Sequence, residues 1–451
     1  MGTRGVRDPI HGFIRFSPLE KDIIDHPAFQ RLRRIQQLGF SSMVYPGARH
    51  TRFDHSIGVM HLAGQMFDAI AGSEKGRDTL SQVLGRAEGR EAVKDRFRAI
   101  LRLAALLHDV GHPPFSHASD EVMPQKRVIK VMRDGQEARE VFRHEDYTLR
   151  VIEDVLKDEI RNNDLGITWE DVAGLLGHAS TRLRPALLVW KEILSSQIDA
   201  DRADYLLRDS LYTGVKYGVY DCVRLLETQV LVQDPGQDNK DSARILVEKG
   251  GWHVAESFVV CRYLMFTQVY FHKTTRAFEH HYARALKSIL ETFQGWGKLP
   301  SPDEIHEYLK YDDYAMWDLI ARGAKENNPD CRALVDRVHY RCVYETSEDP
   351  LKAKRQAEDL HQLKERLQKL GIDVFEDTSE KVWYETDGAK EVQVYDDMDN
   401  IRPVKSLSEM SSLARAIGAT KQTRLYISKA DKKKPDVKKI IGKECDVLGS
   451  A

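Results

Sequence analysis

Apolar residues recur at helical spacing through most of the first 290 positions, so this part of the chain reads as mostly helical. Residues 19–38 carry that spacing, and residues 98–107 form an apolar run that stops sharply at Gly111 and Pro113. Residues 252–294 contain neither Gly nor Pro over 43 positions, which predicts one long helix or two that abut. Three stretches interrupt the pattern. Residues 72–95 are polar and charged and read as an insertion. Residues 127–142 alternate around Asp134-Gly135, the signal of a two-residue hairpin turn. Residues 228–247 place two β-like runs around Asp234-Pro235-Gly236, a second hairpin.

After Gly295 the pattern changes. Residues 296–302 read as a linker, 302–322 as a further helix or two, and 350–370 as a Lys/Glu-rich amphipathic helix. Strand-like segments at 381–384, 392–395 and 424–427 surround one helical stretch at 406–417. The Lys-rich stretch 429–443 reads as a solvated tail, with phosphate contact as the alternative. The expected fold is therefore mainly α: a large helical domain with small β-hairpin insertions over residues 1–295, and a smaller α+β region over residues 296–451.

Composition narrows the function. The chain of 451 residues is 41% hydrophobic and 31% charged, a globular composition with room for a large core. Lys+Arg number 68 and Asp+Glu 70, a formal charge of −2, which argues against a wholesale nucleic-acid coat. No apolar run reaches membrane-spanning length and the first eight residues lack a signal-peptide core, so a cytoplasmic location is expected. Five scattered cysteines without CxxC spacing point away from a disulfide scaffold or a thiolate zinc site. The 17 histidines are the informative excess, because several stand beside carboxylates.

The central motif is Leu106-Leu107-His108-Asp109-Val110-Gly111-His112. An apolar helix delivers an adjacent His and Asp at its buried end, where an unpaired carboxylate is costly and a divalent cation satisfies both groups. Alone, such a pair is more often a His hydrogen-bonded to its neighbour. Two further segments change the weighting. Thr51-Arg52-Phe53-Asp54-His55 puts another His at the start of an apolar helix. In residues 197–209, Asp201, Tyr205, Arg208 and Asp209 share one helical face, polar where a core helix would be apolar. A solvated face is the plainer reading of it; Tyr and Arg beside two carboxylates suit a lined cavity. Two imidazoles and two carboxylates with open positions meet the requirement of metal-assisted hydrolysis.

With these motifs in view, the chain resembles the HD-domain phosphohydrolases, and within them the deoxynucleoside triphosphate triphosphohydrolases. The likeness extends to bacterial members and to a vertebrate enzyme that joins a SAM domain to an HD domain. It is carried by Asp8-Pro9-Ile10-His11-Gly12, by Asp25, Pro27 and Phe29-Gln30-Arg31-Leu32-Arg33, by Gln37-Leu38-Gly39, and by Tyr45-Pro46-Gly47-Ala48 with His50, Arg52-Phe53 and His55-Ser56. It continues through His108-Asp109, Gly111-His112 and Pro114-Phe115-Ser116-His117, then His144-Glu145, then Asp201, Asp204-Tyr205 and Arg208-Asp209. It covers about residues 5–290, and no SAM-type segment is expected ahead of Asp8.

The resemblance implies metal ligands at His55, His108, Asp109 and Asp201, holding Fe, Mn, Zn, Ni or Mg. It implies catalytic roles for His112, His117, Asp120 and His144, with His117 able to protonate a leaving oxygen. The separate plain reading of His117 and His144 is an ordinary polar core histidine. Substrate contacts are implied at Arg52, Arg202 and Lys273 (phosphates), at Gln37, Asp209 and Tyr205 (sugar), and at Leu38 and Phe278 (near the sugar 2′ position). The vertebrate relative has a tyrosine where Phe278 stands, and the plain reading of Phe278 is a core residue. Asp25, Gln30 and Arg33 match residues that read a guanine-nucleotide activator at a subunit interface, which implies a homo-oligomer, a dimer of dimers. The plainer roles there are a helix N-cap for Asp25 and a surface ion pair for Arg33.

The expected function is metal-dependent cleavage of a dNTP to deoxynucleoside and triphosphate. The alternatives are an HD-type phosphodiesterase or phosphatase acting on another nucleotide or on single-stranded nucleic acid, a reading mildly favoured by the Lys-rich tail, or a non-catalytic nucleotide sensor.

Overall fold

The computed structural model describes residues 4–84, 90–126, 131–133, 136–138, 140–177, 183, 185–233, 243–295, 297–381, 384, 391–399, 401–417 and 420–448. It is mainly helical with small sheets. The strands Gly5–Asp8 and Gly12–Arg15 open it as an antiparallel hairpin. Residues 19–38 do not form one helix. Pro27 has no N–H and restricts the residue before it, so Pro18–Asp25 ends at an extended His26 (φ −66°, ψ 137°). The short pieces Pro27–Gln30 and Arg31–Arg34 follow. His26, not Asp25, caps the second piece: its Nδ1 accepts from the Ala28 N–H at 3.2 Å.

Three helices position the chemistry: Arg52–Gly72, Arg90–Leu107 and Ala200–Thr213. Arg52–Gly72 packs against both others, with Ile57, Met60, Ala63 and Phe67 buried on one side and Ile100, Leu103, Ala104 and Leu107 opposite. Its approach to Ala200–Thr213 depends on Gly58, where an added Cβ would overlap the Asp204 carboxylate and the Arg208 guanidinium. The stretch 72–95, read as a polar and charged insertion, is tied to the rest of the fold. It contains the helix Glu74–Leu84, and the buried Thr79 hydroxyl donates to the Leu231 carbonyl at 3.2 Å.

Residues 252–294 form two helices, Trp252–Met265 and Lys273–Gln294, joined through a π-helical turn at Phe266–Tyr270. Of the expected hairpins, Val131–Arg133 pairs with Gln136–Ala138, and Gln229–Gln233 pairs with Ala243–Glu248. Their turns, Asp134-Gly135 and Asp234-Pro235-Gly236, lie outside the described residues.

Segments on either side of Gly295 share structure. Gln393–Tyr395 pairs in parallel with Ala243–Glu248 and antiparallel with Val404–Ser406, completing a four-stranded sheet. The main hydrophobic core likewise continues through Leu299, Ile305, Tyr308, Met316 and Ile320. A second core lies farther along, where Thr420–Ile427 sits between Arg341–Glu345 and Phe375–Lys381 and is covered by the helix Pro350–Lys369. The single helix expected at 406–417 is two short ones, Leu407–Met410 and Ser412–Ala416, separated at the extended Ser411. The Lys-rich segment is not a solvated tail: Pro435–Leu448 is helical and docks Val437 into the second core, leaving Lys438 and Lys439 exposed. Among the described residues no helix is long and apolar enough to cross a membrane.

Gly58→Ala should destabilise the protein by about 3–5 kcal/mol, because the methyl forces apart a buried ion pair. Urea unfolding measures this. A loss below about 1 kcal/mol would mean that the two helices can separate without breaking the pair.

Candidate active site

Each candidate ligand is delivered by a helix end. Asp54 Oδ2 accepts from the Thr51 N–H at 2.9 Å, starting Arg52–Gly72 and setting His55 in its first turns. Arg90–Leu107 ends directly before His108 and Asp109. Asp199 caps Ala200–Thr213 by accepting from the Arg202 N–H at 2.8 Å, which puts Asp201 in the first turn.

These residues converge. His55 Nε2 lies 3.0 Å from Asp201 Oδ1 and 3.8 Å from Asp109 Oδ2. His108 Nε2 lies 3.4 Å from Asp109 Oδ2 and 3.8 Å from Asp201 Oδ1. His55, His108 and Asp109 offer ligand atoms within 4.8 Å of one another. Both Nε2 atoms are buried and neither makes a hydrogen bond; the His55–Asp201 contact is close but lacks hydrogen-bond alignment. The opposite ring nitrogens are committed. His108 Nδ1 meets the Ala105 carbonyl at 2.7 Å, and a carbonyl only accepts, so Nδ1 carries the proton and Nε2 the lone pair. His55 Nδ1 meets Asp204 Oδ2 at 2.8 Å. Imidazoles oriented through their far nitrogen and facing carboxylates fit a divalent cation.

Asp204 is itself fixed. Arg208 donates to both its oxygens, at 2.8 and 2.9 Å, and His11 Nε2 approaches Oδ1 at 2.6 Å. Arg208, fully buried, also bonds Asp8 Oδ2 at 2.8 Å. Burial alone would raise the Asp204 carboxyl; Arg208, His11 and His55 outweigh it and hold it well below the usual carboxylate range. Burial would likewise lower the His55 imidazole, but Asp201 and Asp204 push it up to about 10, so loading a cation there displaces a proton.

A second histidine group adjoins the first through Asp109. Asp109 Oδ1 is 3.6 Å from His112 Nε2 and 3.9 Å from His144 Nε2. The His112 and His144 rings stack at 4.0 Å, with His117 5.1 Å from His112. Burial, then Arg52, holds His112 well below the ordinary imidazole range, and burial lowers His144. Against burial, Arg52 and the surrounding imidazoles keep Asp109 ionised. His117 differs: its side chain is 68% exposed and its Nδ1 lies 3.3 Å from Asp120 Oδ2. It is the solvent-facing histidine of the set.

The expected substrate residues divide. Arg52 is buried, bonded to Asp109 and, through Nε at 2.9 Å, to the Ser116 hydroxyl. Arg202 is bonded to the Asp199 carboxylate. Asp209 accepts from Tyr270 at 2.7 Å and meets His50 Nε2 at 2.7 Å. Gln37 is buried with Oε1 unpaired, and Leu38 is half-buried. Tyr205 packs edge-on to Tyr270 at 6.1 Å. Lys273 is half-exposed, 3.7 Å from Glu345. Phe278 is wholly buried against the His339 ring at 4.8 Å. Among the residues matched to an activator site, Asp25 pairs with Lys21 at the surface. Arg33 donates to Gln30 Oε1 at 2.8 Å, and its guanidinium lies over the Phe53 ring.

Asp204, His50 and Ser116 stood in the motifs that carry the resemblance, without an assigned role; the four-residue spacing from Asp204 to Arg208, that of a helical ion pair, was a further signal for the first. Tyr270 and Asp313 were not singled out from sequence. Asp313, beyond Gly295, accepts from the Phe115 N–H at 2.7 Å and the Gln36 N–H at 2.8 Å. It thereby holds the turn in which Phe115 (φ 53°) and Ser116 (φ 55°) adopt left-handed backbone.

Comparison with known proteins places the chain in a family. Residues 52–209 match the family described as HD domain, and residues 221–443 the HD associated region. The protein YwfO of Bacillus subtilis, itself uncharacterized, is 34% identical over 60% of this chain and 53% of its own length. The deoxynucleoside triphosphate triphosphohydrolase SAMHD1 of Mus musculus is 36% identical over 46% of this chain and 32% of its own. The chain thus spans about half the length, or less, of these curated relatives. A crystal structure of a phosphohydrolase from Bacteroides thetaiotaomicron superposes with a TM-score of 0.69 at 26% identity, covering 95% of this chain and all of the other.

Replacing His108 and Asp109 together by Ala should leave a folded protein that no longer retains stoichiometric metal. Elemental analysis beside circular dichroism checks it; metal retained in full would reject the ligand set.

Proposed function

We propose that this chain, which belongs to the HD-domain family, is a metal-dependent hydrolase that cleaves deoxynucleoside triphosphates to deoxynucleoside and triphosphate. The observation that carries the reading is the pair of buried, hydrogen-bond-free Nε2 atoms of His55 and His108, which meet Asp109 and Asp201 beside a separate solvent-facing His117. A divalent cation bound by these four residues supplies Lewis acidity toward a phosphoryl oxygen.

The chain's own groups do the rest. In the cleavage, a water oxygen bonds to the α-phosphorus and loses a proton to bulk water, the bond from that phosphorus to the 5′-oxygen breaks, and His117 afterwards regains a proton from bulk water. His117, oriented by Asp120, gives its proton to the departing 5′-oxygen. His112 and His144, kept uncharged by burial, border the reacting phosphate without adding positive charge of their own. Arg202 and Lys273 are the cations nearest to solvent in the expected set and serve the outer phosphates. Asp209 and Gln37 serve the sugar 3′-hydroxyl, and Leu38 closes the 2′ side. The likeness to a dNTP triphosphohydrolase supports the choice of substrate class. We further propose a homo-oligomer, with Asp25, Gln30 and Arg33 reading a guanine-nucleotide activator between subunits. A nucleotide panel with chromatography of products tests the reaction: deoxynucleoside plus triphosphate supports it, while monophosphate or diphosphate products refute it.

Two further outcomes follow from the assigned roles. His117→Ala should cut kcat by about 10²–10⁴-fold, the usual worth of a general acid, while metal content stays unchanged. A kcat like that of the unaltered enzyme would exclude the role. Placing a 2′-hydroxyl against Leu38 leaves it unpaired, at a cost of about 1–3 kcal/mol, so dATP should exceed ATP in kcat/KM by roughly one to two decades. Equal values would remove Leu38 from sugar selection.

A further inference from the structure

The motif Asp8-Pro9-Ile10-His11-Gly12 forms the turn of the N-terminal hairpin and ends against the metal group. Asp8 shapes that turn: its Oδ1 accepts from the N–H groups of Ile10 and His11 at 2.8 Å each. Gly12 (φ 73°) takes the left-handed backbone that closes it. The other Asp8 oxygen accepts from Arg208 at 2.8 Å. His11 is thereby carried inward until its side chain is only 6% exposed, with Nε2 2.6 Å from Asp204 Oδ1.

These contacts close a ring. Asp8 holds both the His11 backbone and the Arg208 side chain, and both residues reach Asp204 Oδ1, Arg208 through Nη2 at 2.9 Å. Asp204 is held ionised and can only accept, so His11 Nε2 carries a proton and donates it into this bond. Asp204 Oδ2 takes the Arg208 Nε–H and meets Nδ1 of His55, each at 2.8 Å. A carboxylate offers about four lone-pair directions, and these four groups fill them. The guanidinium takes one on each oxygen. One on Oδ2 is left for His55 and one on Oδ1 for His11. Left open in a buried site, the Oδ1 position would turn the carboxylate toward another donor or admit water, and either loosens the bond to His55.

We propose that His11 is a positioning residue of the metal site: by filling Asp204 Oδ1 it keeps Oδ2 on His55 Nδ1, and so keeps His55 Nε2 aimed at the cation. The inference deepens the metal-dependent reading above and rests on it. Groups that orient a ligating histidine from behind are worth about 10–100-fold in metal affinity. His11 acts one hydrogen bond farther back, which puts it at the lower end of that range.

Titration of the metal-free full chain with Mn²⁺, counting free Mn²⁺ by electron paramagnetic resonance, tests this. His11→Ala and His11→Leu lack the donor and should raise Kd about tenfold. His11→Gln offers an amide N–H at similar reach and should bind as the unaltered chain does. Urea unfolding of the same variants separates positioning from packing. A His11 that only packs the hairpin would lower the unfolding midpoint in the Ala and Leu variants while Kd stays put, and that result overturns the inference. A Gln variant as weak as the Leu variant overturns it too. Should one of the Ala and Leu variants fail to fold, the other decides. Absence of Mn²⁺ binding by the unaltered chain would overturn the metal-dependent reading and this inference together; tight binding that is indifferent to His11 overturns this inference alone.

Discussion

The candidate site hangs on the buried ion pair between Asp204 and Arg208. Two charges removed from water are stable only when their remaining hydrogen-bonding capacity is filled, and here it is filled from every side. Asp204 takes two bonds from Arg208 and meets His11 and His55; Arg208 also reaches Asp8. The pair thus links the N-terminal hairpin, the helix Arg52–Gly72 and the helix Ala200–Thr213. Gly58 makes the contact feasible, since any side chain there would displace the carboxylate. One consequence is chemical: Asp204 occupies His55 Nδ1 and leaves Nε2 facing Asp109 and Asp201.

A second constraint comes from beyond Gly295. The turn from Gly111 to Ser116 carries His112 and precedes His117, and it is clasped by residues far along the chain. The Tyr308 hydroxyl donates to the Gly111 carbonyl at 2.8 Å, and Asp313 accepts from Phe115 and Gln36. Arg31 joins the two parts by donating to the carbonyls of Tyr311 and His112 at 2.8 and 3.0 Å. Two consecutive non-glycine residues in left-handed backbone cost energy, and such a turn persists where its surroundings over-determine it. The later segments are therefore part of the framework of the site.

Asp109 is the electrostatic hinge between the two histidine groups. One oxygen faces His55, His108 and Arg52; the other faces His112 and His144. Arg52 pairs with the ionised Asp109, while burial keeps His112 and His144 uncharged beside its other oxygen. His117 lies outside that shielded set, exposed and beside Asp120.

Much of this was legible in the chain itself. The helical character, the two β-runs expected within 228–247, the amphipathic helix expected at 350–370 and the His…His-Asp…Asp order all follow from local periodicity and from residue types that have few uses when buried. What periodicity does not carry is the partner of each side chain. Residues 19–38 kept helical spacing, yet Pro27 broke the helix, because the missing N–H acts on the backbone whatever the apolar pattern. The Lys-rich segment looked solvated because its lysines dominate the composition, while Val437, Ile440 and Ile441 dock its helix. Arg208 shared a polar face with Asp201 and Tyr205, and only the fold turned it inward to hold Asp204. Local spacing thus brought His55, His108, Asp109 and Asp201 forward as candidate ligands, and the family resemblance added the candidates for proton transfer. Long-range packing determined which ring nitrogen faces the site and which carboxylates stay ionised, since both depend on atoms up to two hundred residues away.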